Sequence, residues 1–358
     1  MMILSQNGVK KSSVIVIIFF LLTALLLAGI LWYRETSGRA QWASGQEFLM
    51  NTVVEYALYG GEAEEAGREV IRELRDFENQ ISLYVNDSEI AKINAAAGVA
   101  PVLVSARTMF ILKTVKNYCS LSDGLFDVTI APLVEAWGIT TDHPRIPDQA
   151  TIERLRKLIN YQDILLDEDK QTAMLAQTGE AIDLGGIAKG MADTIVRDVC
   201  ARYGVSGGYF SIGGNIITMG RKPEGGLFAF GVRNPRGEAS DYILSVELED
   251  TSMATSGDYE RYFEKDGKRY HHIFDPRTGY PAQSDLISVS VIAEDGGLCD
   301  FLSTTLFIAG KEAAMALLGR EDFSLILVDK EKNVYVSTAL IGKVKPHDPA
   351  GAYTFYIK

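Results

Sequence analysis

The chain has 358 residues, 47% hydrophobic and 23% charged, a globular balance that argues against a disordered chain. At about 100–200 residues per domain the length allows one large domain or two. Lys plus Arg number 35 against 47 Asp plus Glu, a net charge of −12 with no local basic stripe, so a phosphate backbone would be repelled and nucleic acid is not an expected partner.

Residues 12–33 carry no charge and contain the block Val14-Ile-Val-Ile-Ile-Phe-Phe-Leu-Leu22. As a helix this run spans about 33 Å, enough for a bilayer. Lys10 and Lys11 precede it while Arg34 and Glu35 cancel after it, so the positive-inside rule puts residues 1–11 in the cytoplasm and the rest outside. A signal peptide's apolar core is about 7–15 residues. This run is longer and continues into Ile30-Leu-Trp-Tyr33, so an uncleaved single-pass anchor in the cell membrane is expected, with a cleaved signal as the alternative. Residues 34–47 are polar and aperiodic and read as a stalk. Residues 48–358 show no repeat and no gap long enough to divide them, and read as one domain.

In chain order the pattern predicts a strand over 52–59 and an amphipathic helix over 62–79 with Val70, Ile71, Leu74 and Phe77 on one face. A helix over 105–119, a helix capped by Asp148, and a hairpin over 164–176 follow. Then come a strand, turn and helix over 181–203, short strands to about residue 250, and a hairpin over 259–273. A strand over 286–293, a helix over 299–318 and a hairpin over 325–336 complete the reading. Clustered rather than alternating elements predict an α+β fold. Cys119, Cys200 and Cys299 are odd in number, form no C-x-x-C pair and read as buried apolar residues.

Four segments carry candidate chemistry. Ile182-Asp-Leu-Gly-Gly-Ile-Ala-Lys-Gly190 enters from an apolar run and opens a helix, which suits a phosphate or serves only as a tight turn. Val232-Arg-Asn-Pro-Arg236 offers two arginines, for an anion or as a solvated turn. His271 and His272 are adjacent in an extended segment and face opposite ways, so at most one enters a given site. Asp300, Ser303 and Thr304 share a helix face and offer hard oxygens for Mg²⁺, with helix capping by Asp300 as the alternative.

The chain resembles the FAD:protein FMN transferases, the ApbE-like flavin transferase family, from about residue 50 to 310. The resemblance is carried by six segments in order: Ser88-Glu-Ile-Ala-Lys-Ile-Asn94; Asp123-Gly-Leu-Phe-Asp-Val-Thr129 with Pro132-Leu-Val-Glu-Ala-Trp137; Asp183-Leu-Gly-Gly-Ile-Ala-Lys-Gly190; Thr255-Ser-Gly-Asp-Tyr259; His272-Ile-Phe-Asp-Pro-Arg-Thr-Gly-Tyr-Pro281; and Asp300-x-x-x-Thr304. It implies a Mg²⁺-dependent enzyme with the ApbE-like fold that moves FMN from FAD to a Thr or Ser hydroxyl of an acceptor protein and releases AMP. By position it implies flavin contacts at Met50, Tyr84, Gly124, Leu125, Phe126, Asp183, Lys189 and Phe274. It implies metal ligands at Gly186, Asp300, Ser303 and Thr304, and a catalytic histidine at His272. Phe274, Asn215 and Cys299 depart from the residues commoner in the family at those positions. The implied partners are FAD and extracytoplasmic acceptors such as FMN-carrying subunits of membrane redox complexes. An FAD pyrophosphatase and a non-catalytic FAD-binding surface protein are the rival readings.

Overall fold

The computed structural model describes residues 25–28 and 42–357. The expected membrane span over 12–33 lies outside the described residues except for 25–28, which are helical and exposed. Among the described residues no helix is long and apolar enough to cross a membrane.

A nine-stranded sheet organises the molecule: β1 (Trp42–Leu49), β2 (Thr52–Tyr59), β3 (Gly207–Ile212), β4 (Asn215–Gly220), β5 (Ser252–Gly257), β6 (Leu286–Ala293), β7 (Ser324–Asp329), β8 (Asn333–Val336) and β9 (Thr354–Ile357). They lie side by side in chain order. Every neighbour pairs antiparallel except β8 with β9, which is parallel. Among the described residues from 42 onward eight α-helices accompany it: α1 (Ala63–Ile81), α2 (Glu89–Ala95), α3 (Ala106–Leu121), α4 (Ala131–Trp137), α5 (Gln149–Arg156), α6 (Ala188–Arg202), α7 (Gly296–Ala309) and α8 (Lys311–Met315).

The period of two along the strands separates two cores. Ala254, Val291 and Leu325 pack toward Phe307 of α7, whereas their chain neighbours Met253, Ile292 and Ile326 pack on the other face. That second face is covered by a small antiparallel sheet of Phe228–Arg233, Tyr242–Leu248 and Val344–Pro346. Strand β6 is buried on both faces, its apolar residues interrupted only by the small, buried Ser288 and Ser290.

The α+β class and single mixed domain agree with the expectation, and the strands over 52–59 and 286–293 fall where the pattern puts them. Three expectations need correction. Residues 42–47 of the expected stalk belong to β1, which pairs with β2 from Trp42↔Tyr59 to Leu49↔Thr52. As the edge strand of the sheet, β1 tolerates Ser44, Gly45, Gln46 and Glu47, whose polarity disguised it. The approach to α6 holds only an isolated bridge, Ile130 to Ala181, not a full strand. The helix expected over 299–318 begins earlier, at Gly296 behind the Asp295 cap, and breaks at Gly310 before α8.

One contact fixes the relation of α6 to α7. A Cβ at Gly190 would lie 2.2 Å from the Gly296 carbonyl oxygen and 2.7 Å from the Asp300 Cβ, and a Cβ at Gly296 would lie 2.7 Å from the Gly190 oxygen. Two helix backbones therefore touch where only hydrogen fits. Gly190→Ala is expected to destabilise the protein by about 1–3 kcal/mol, the usual cost of overpacking. Gly319→Ala, which meets open space, is expected to be near neutral; urea unfolding of both variants checks the contrast.

Candidate active site

Asp295 caps α7 by accepting N–H bonds from Gly297 at 2.7 Å and Leu298 at 3.2 Å. Asp300 therefore lies past the cap, inside the helix, and the capping alternative does not describe it. Its Oδ2 accepts the Gly190 N–H at 2.8 Å, across the glycine contact, and the residue is 4% exposed. Ser303 Oγ donates to the Asp300 carbonyl oxygen at 3.0 Å and lies 2.9 Å from Ser256 Oγ, which also reaches Thr304 Oγ1 at 3.2 Å. The expected face of Asp300, Ser303 and Thr304 is thus real and gains a hydroxyl from β5. Ser256, quoted in the Thr255–Tyr259 segment without a role, stands two residues after Ala254 and shares its face by strand alternation.

This donor set suits a hard cation. One Asp300 oxygen accepts the Gly190 N–H and the other accepts no hydrogen bond among the described residues, while the hydroxyls of Ser256, Ser303 and Thr304 cluster at the same stretch of α7. No group of three or more His, Cys, Asp or Glu able to hold a metal occurs among the described residues. A site with a single carboxylate fits Mg²⁺, which keeps waters and substrate phosphates as its remaining ligands.

The glycine turn before α6 is shaped by its own aspartate. Asp183 N donates to the Val128 oxygen at 2.7 Å, and its carboxylate accepts the Gly185 N–H at 2.7 Å. Burial pushes the Asp183 carboxyl above its ordinary range, opposed by the Gly185 N–H and the Arg261 charge. Gly186 is exposed, and a Cβ there would lie 3.5 Å from the Phe126 ring. Phe126 in turn meets Phe301 of α7 edge-on at 5.5 Å, so the turn, the aromatic and the helix carrying Asp300 adjoin. Tyr84 is exposed; partial desolvation and then the charge of Asp183 raise its pKa.

The two histidines divide as their alternation predicts. His271 is buried, its Nε2 donating to the Ala282 oxygen at 3.0 Å and its Nδ1 accepting the Ile273 N–H at 3.3 Å. His272 is half-buried, and the Arg261 carbonyl oxygen accepts its backbone N–H at 3.0 Å and its Nδ1–H at 3.3 Å. That bond assigns the proton to Nδ1 and leaves the Nε2 lone pair unused. Burial first, then the Lys189 charge, pushes the His272 pKa down to about 3, so the ring is neutral near pH 7.

Other expected residues are placed less directly. Met50 forms the β1–β2 turn with Asn51, both at a φ of 54°. Gly124 ends α3, its N–H reaching the Cys119 oxygen at 2.8 Å, while Leu125 packs toward the core under α7. Phe274 is buried in a separate cluster with Leu133, Trp137 and Ile152. Of the two alternatives for Arg233 and Arg236, anion ligand or solvated turn, neither describes them, because both are paired with carboxylates of the chain. Arg236 grips Asp258 through two bonds of 2.7 Å, and Arg233 lies over Tyr259 and 3.5 Å from Glu260. Arg261, which the sequence reading passed over, joins His272 to the β1–β2 turn by donating to the Asn51 oxygen at 3.0 Å. Cys119, Cys200 and Cys299 are buried and unpaired, as expected.

A model of the ApbE family matches residues 50–327. The chain is 35% identical over 301 residues to the FAD:protein FMN transferase of Klebsiella pneumoniae (strain 342), covering 84% of this chain and 93% of that protein. It is 33% identical over 325 residues to the protein of the same name from Treponema pallidum (strain Nichols), covering 85% and 89%. Among solved structures it is similar to the ApbE protein of Thermotoga maritima, with a TM-score of 0.79 and 32% identity over 85% of this chain and 99% of that one. The flavin transferase ApbE from Vibrio cholerae gives a TM-score of 0.75 at 26% identity over 85% and 100%. The chain belongs to the ApbE family.

Burial lowers the His271 pKa, so below about pH 6.5 the unfolded chain binds a proton there that the native state resists. The sign is that of stability lost on acidification. The stability difference between wild type and His271→Gln, which keeps a donor for the Ala282 oxygen without titrating, is expected to shrink as pH falls from about 7 to about 5. Urea unfolding across that range measures it, and a pH-independent difference would contradict the assignment.

Proposed function

We propose that the chain transfers FMN from FAD to a threonine or serine hydroxyl of an acceptor protein and releases AMP, with Mg²⁺ held at Asp300. As a member of its family the chain is a transferase enzyme. The observation that carries the finer reading is Asp300 inside α7, one oxygen fixed by the Gly190 N–H, with the Thr304 hydroxyl one helical turn further along the same helix. In this reading Asp300, Ser303, Thr304 and the Gly186 carbonyl hold the metal. When bound there, Mg²⁺ supplies charge neutralisation to the pyrophosphate and to the departing AMP.

The remaining roles fall to the chain's own residues. Lys189 stands near His272 and offers a positive charge to the pyrophosphate. Met50, Tyr84, the 124–126 segment and Phe274 are the proposed flavin contacts, and Asp183 holds the glycine turn that faces the substrate. Nε2 of His272, free because Nδ1–H is spent on the Arg261 carbonyl, accepts the acceptor's hydroxyl proton. The hydroxyl oxygen then bonds to the phosphorus of the FMN half, and the P–O bond to AMP breaks.

We also propose that residues 12–33 anchor the enzyme in the cell membrane with its body outside the cytoplasm, supported by the uncharged run behind Lys10 and Lys11. Acceptors would then be extracytoplasmic, such as FMN-carrying subunits of membrane redox complexes. Protease added to spheroplasts is expected to remove the body, and a protected body would contradict this topology.

Incubation with FAD, Mg²⁺ and an acceptor domain tests the reaction. Covalent flavin on the acceptor is expected; free FMN and AMP alone would indicate a pyrophosphatase, and unchanged FAD a binding protein. His272→Ala is expected to lower single-turnover transfer by ~10²–10⁴-fold, the worth of a positioned base, with FAD affinity retained. His271→Gln is expected to keep the rate, because His271 serves the core.

A further inference from the structure

We propose that Arg261 is a second cationic contact to the FAD pyrophosphate, working with Lys189; this rests on the transferase reading above. Residue 261 spans the gap between two parts of the site. Its guanidinium donates to the Asn51 oxygen at 3.0 Å, at the left-handed Met50–Asn51 turn. Its carbonyl oxygen accepts both N–H groups of His272, at 3.0 and 3.3 Å. The side chain is thereby ordered before any ligand arrives, so binding does not bear the full cost of immobilising it.

Its charge is also uncommitted. Arg233, Arg236 and Arg269 nearby meet Glu260, Asp258 and Glu264 respectively. Arg261 forms no ion pair among the described residues, and the Asn51 oxygen engages only one of its donors. A guanidinium presents five N–H donors in a planar fork that matches phosphate oxygens. An open recess of about 400 Å³, bounded by Asn51, Thr140, Asp142 and Tyr262, borders Arg261, so its guanidinium stands at the surface. The same cation acts on Asp183 and Tyr84, which places it within electrostatic reach of the glycine turn. Carboxylates at Asp142 and Glu260 also border the recess, but Glu260 is engaged by Arg233.

The test compares binding of FAD and of riboflavin, which lacks phosphate, to full-length protein by flavin fluorescence with EDTA present, at low and high salt. Wild type is expected to prefer FAD, and the preference to weaken with salt. Arg261→Met is expected to weaken FAD binding by about 10-fold, the worth of a charge-assisted bond, leaving riboflavin binding unchanged. Its FAD affinity is also expected to depend less on salt, and Arg261→Lys to restore part of the loss. Equal losses for FAD and riboflavin would overturn the proposal and reduce Arg261 to a prop for the β1–β2 turn. An unchanged FAD affinity in Arg261→Met would overturn it as well. Wild-type protein that binds neither flavin would overturn the transferase reading itself, and this proposal with it.

Discussion

The close approach of α6 to α7 at Gly190 and Gly296 is the constraint on which the site depends. A methyl group on either residue would collide with the other helix's backbone oxygen. With hydrogen at both positions, the Gly190 N–H comes within 2.8 Å of Asp300 Oδ2 and orients a buried carboxylate that would otherwise cost stability. The glycine turn precedes α6 and the face of Asp300, Ser303 and Thr304 belongs to α7, so the same contact adjoins the turn and the oxygen donors. Asp193 reinforces it by accepting from Arg197 Nε and Ser252 Oγ at 2.8 Å each, which ties α6 to β5.

Adjacent or similar residues divide labour here according to where the backbone puts them. Asp295 spends its carboxylate on the α7 cap, which frees Asp300 for chemistry. His271 fills the core and uses both ring nitrogens, whereas His272 keeps Nε2 free. Asp258 is consumed by Arg236, leaving Arg261 on the same connection without a carboxylate. Each structural commitment leaves its neighbour available to a ligand.

Much of this was legible in the sequence because it rests on short-range periodicity. Alternation gave β2 and β6, the 3.6-residue period gave the buried face of α1, and the i, i+3, i+4 spacing put Asp300, Ser303 and Thr304 together. The α7 start was misread because Gly296 and Gly297 look like loop residues, yet Gly296 is required by the contact with α6. Edge strand β1 was hidden by its polar residues. The role of Arg261 was only half local: the hairpin over 259–273 sets it against His272, but Asn51 is brought to it from the far end of the chain. The fates of Arg233 and Arg236 were equally long-range, decided by Asp258 and Tyr259.

The central claim is that the α6–α7 contact builds a hard-cation site on the free oxygen of Asp300. Crystals of the protein grown with FAD and Mn²⁺ in place of Mg²⁺, measured for anomalous scattering, test it most directly. The expected result is a peak about 2.1 Å from the unbonded Asp300 oxygen, with Thr304 Oγ1 also in its coordination sphere. A fully occupied Mn²⁺ peak elsewhere, with Asp300 bonded only to Gly190, would contradict it.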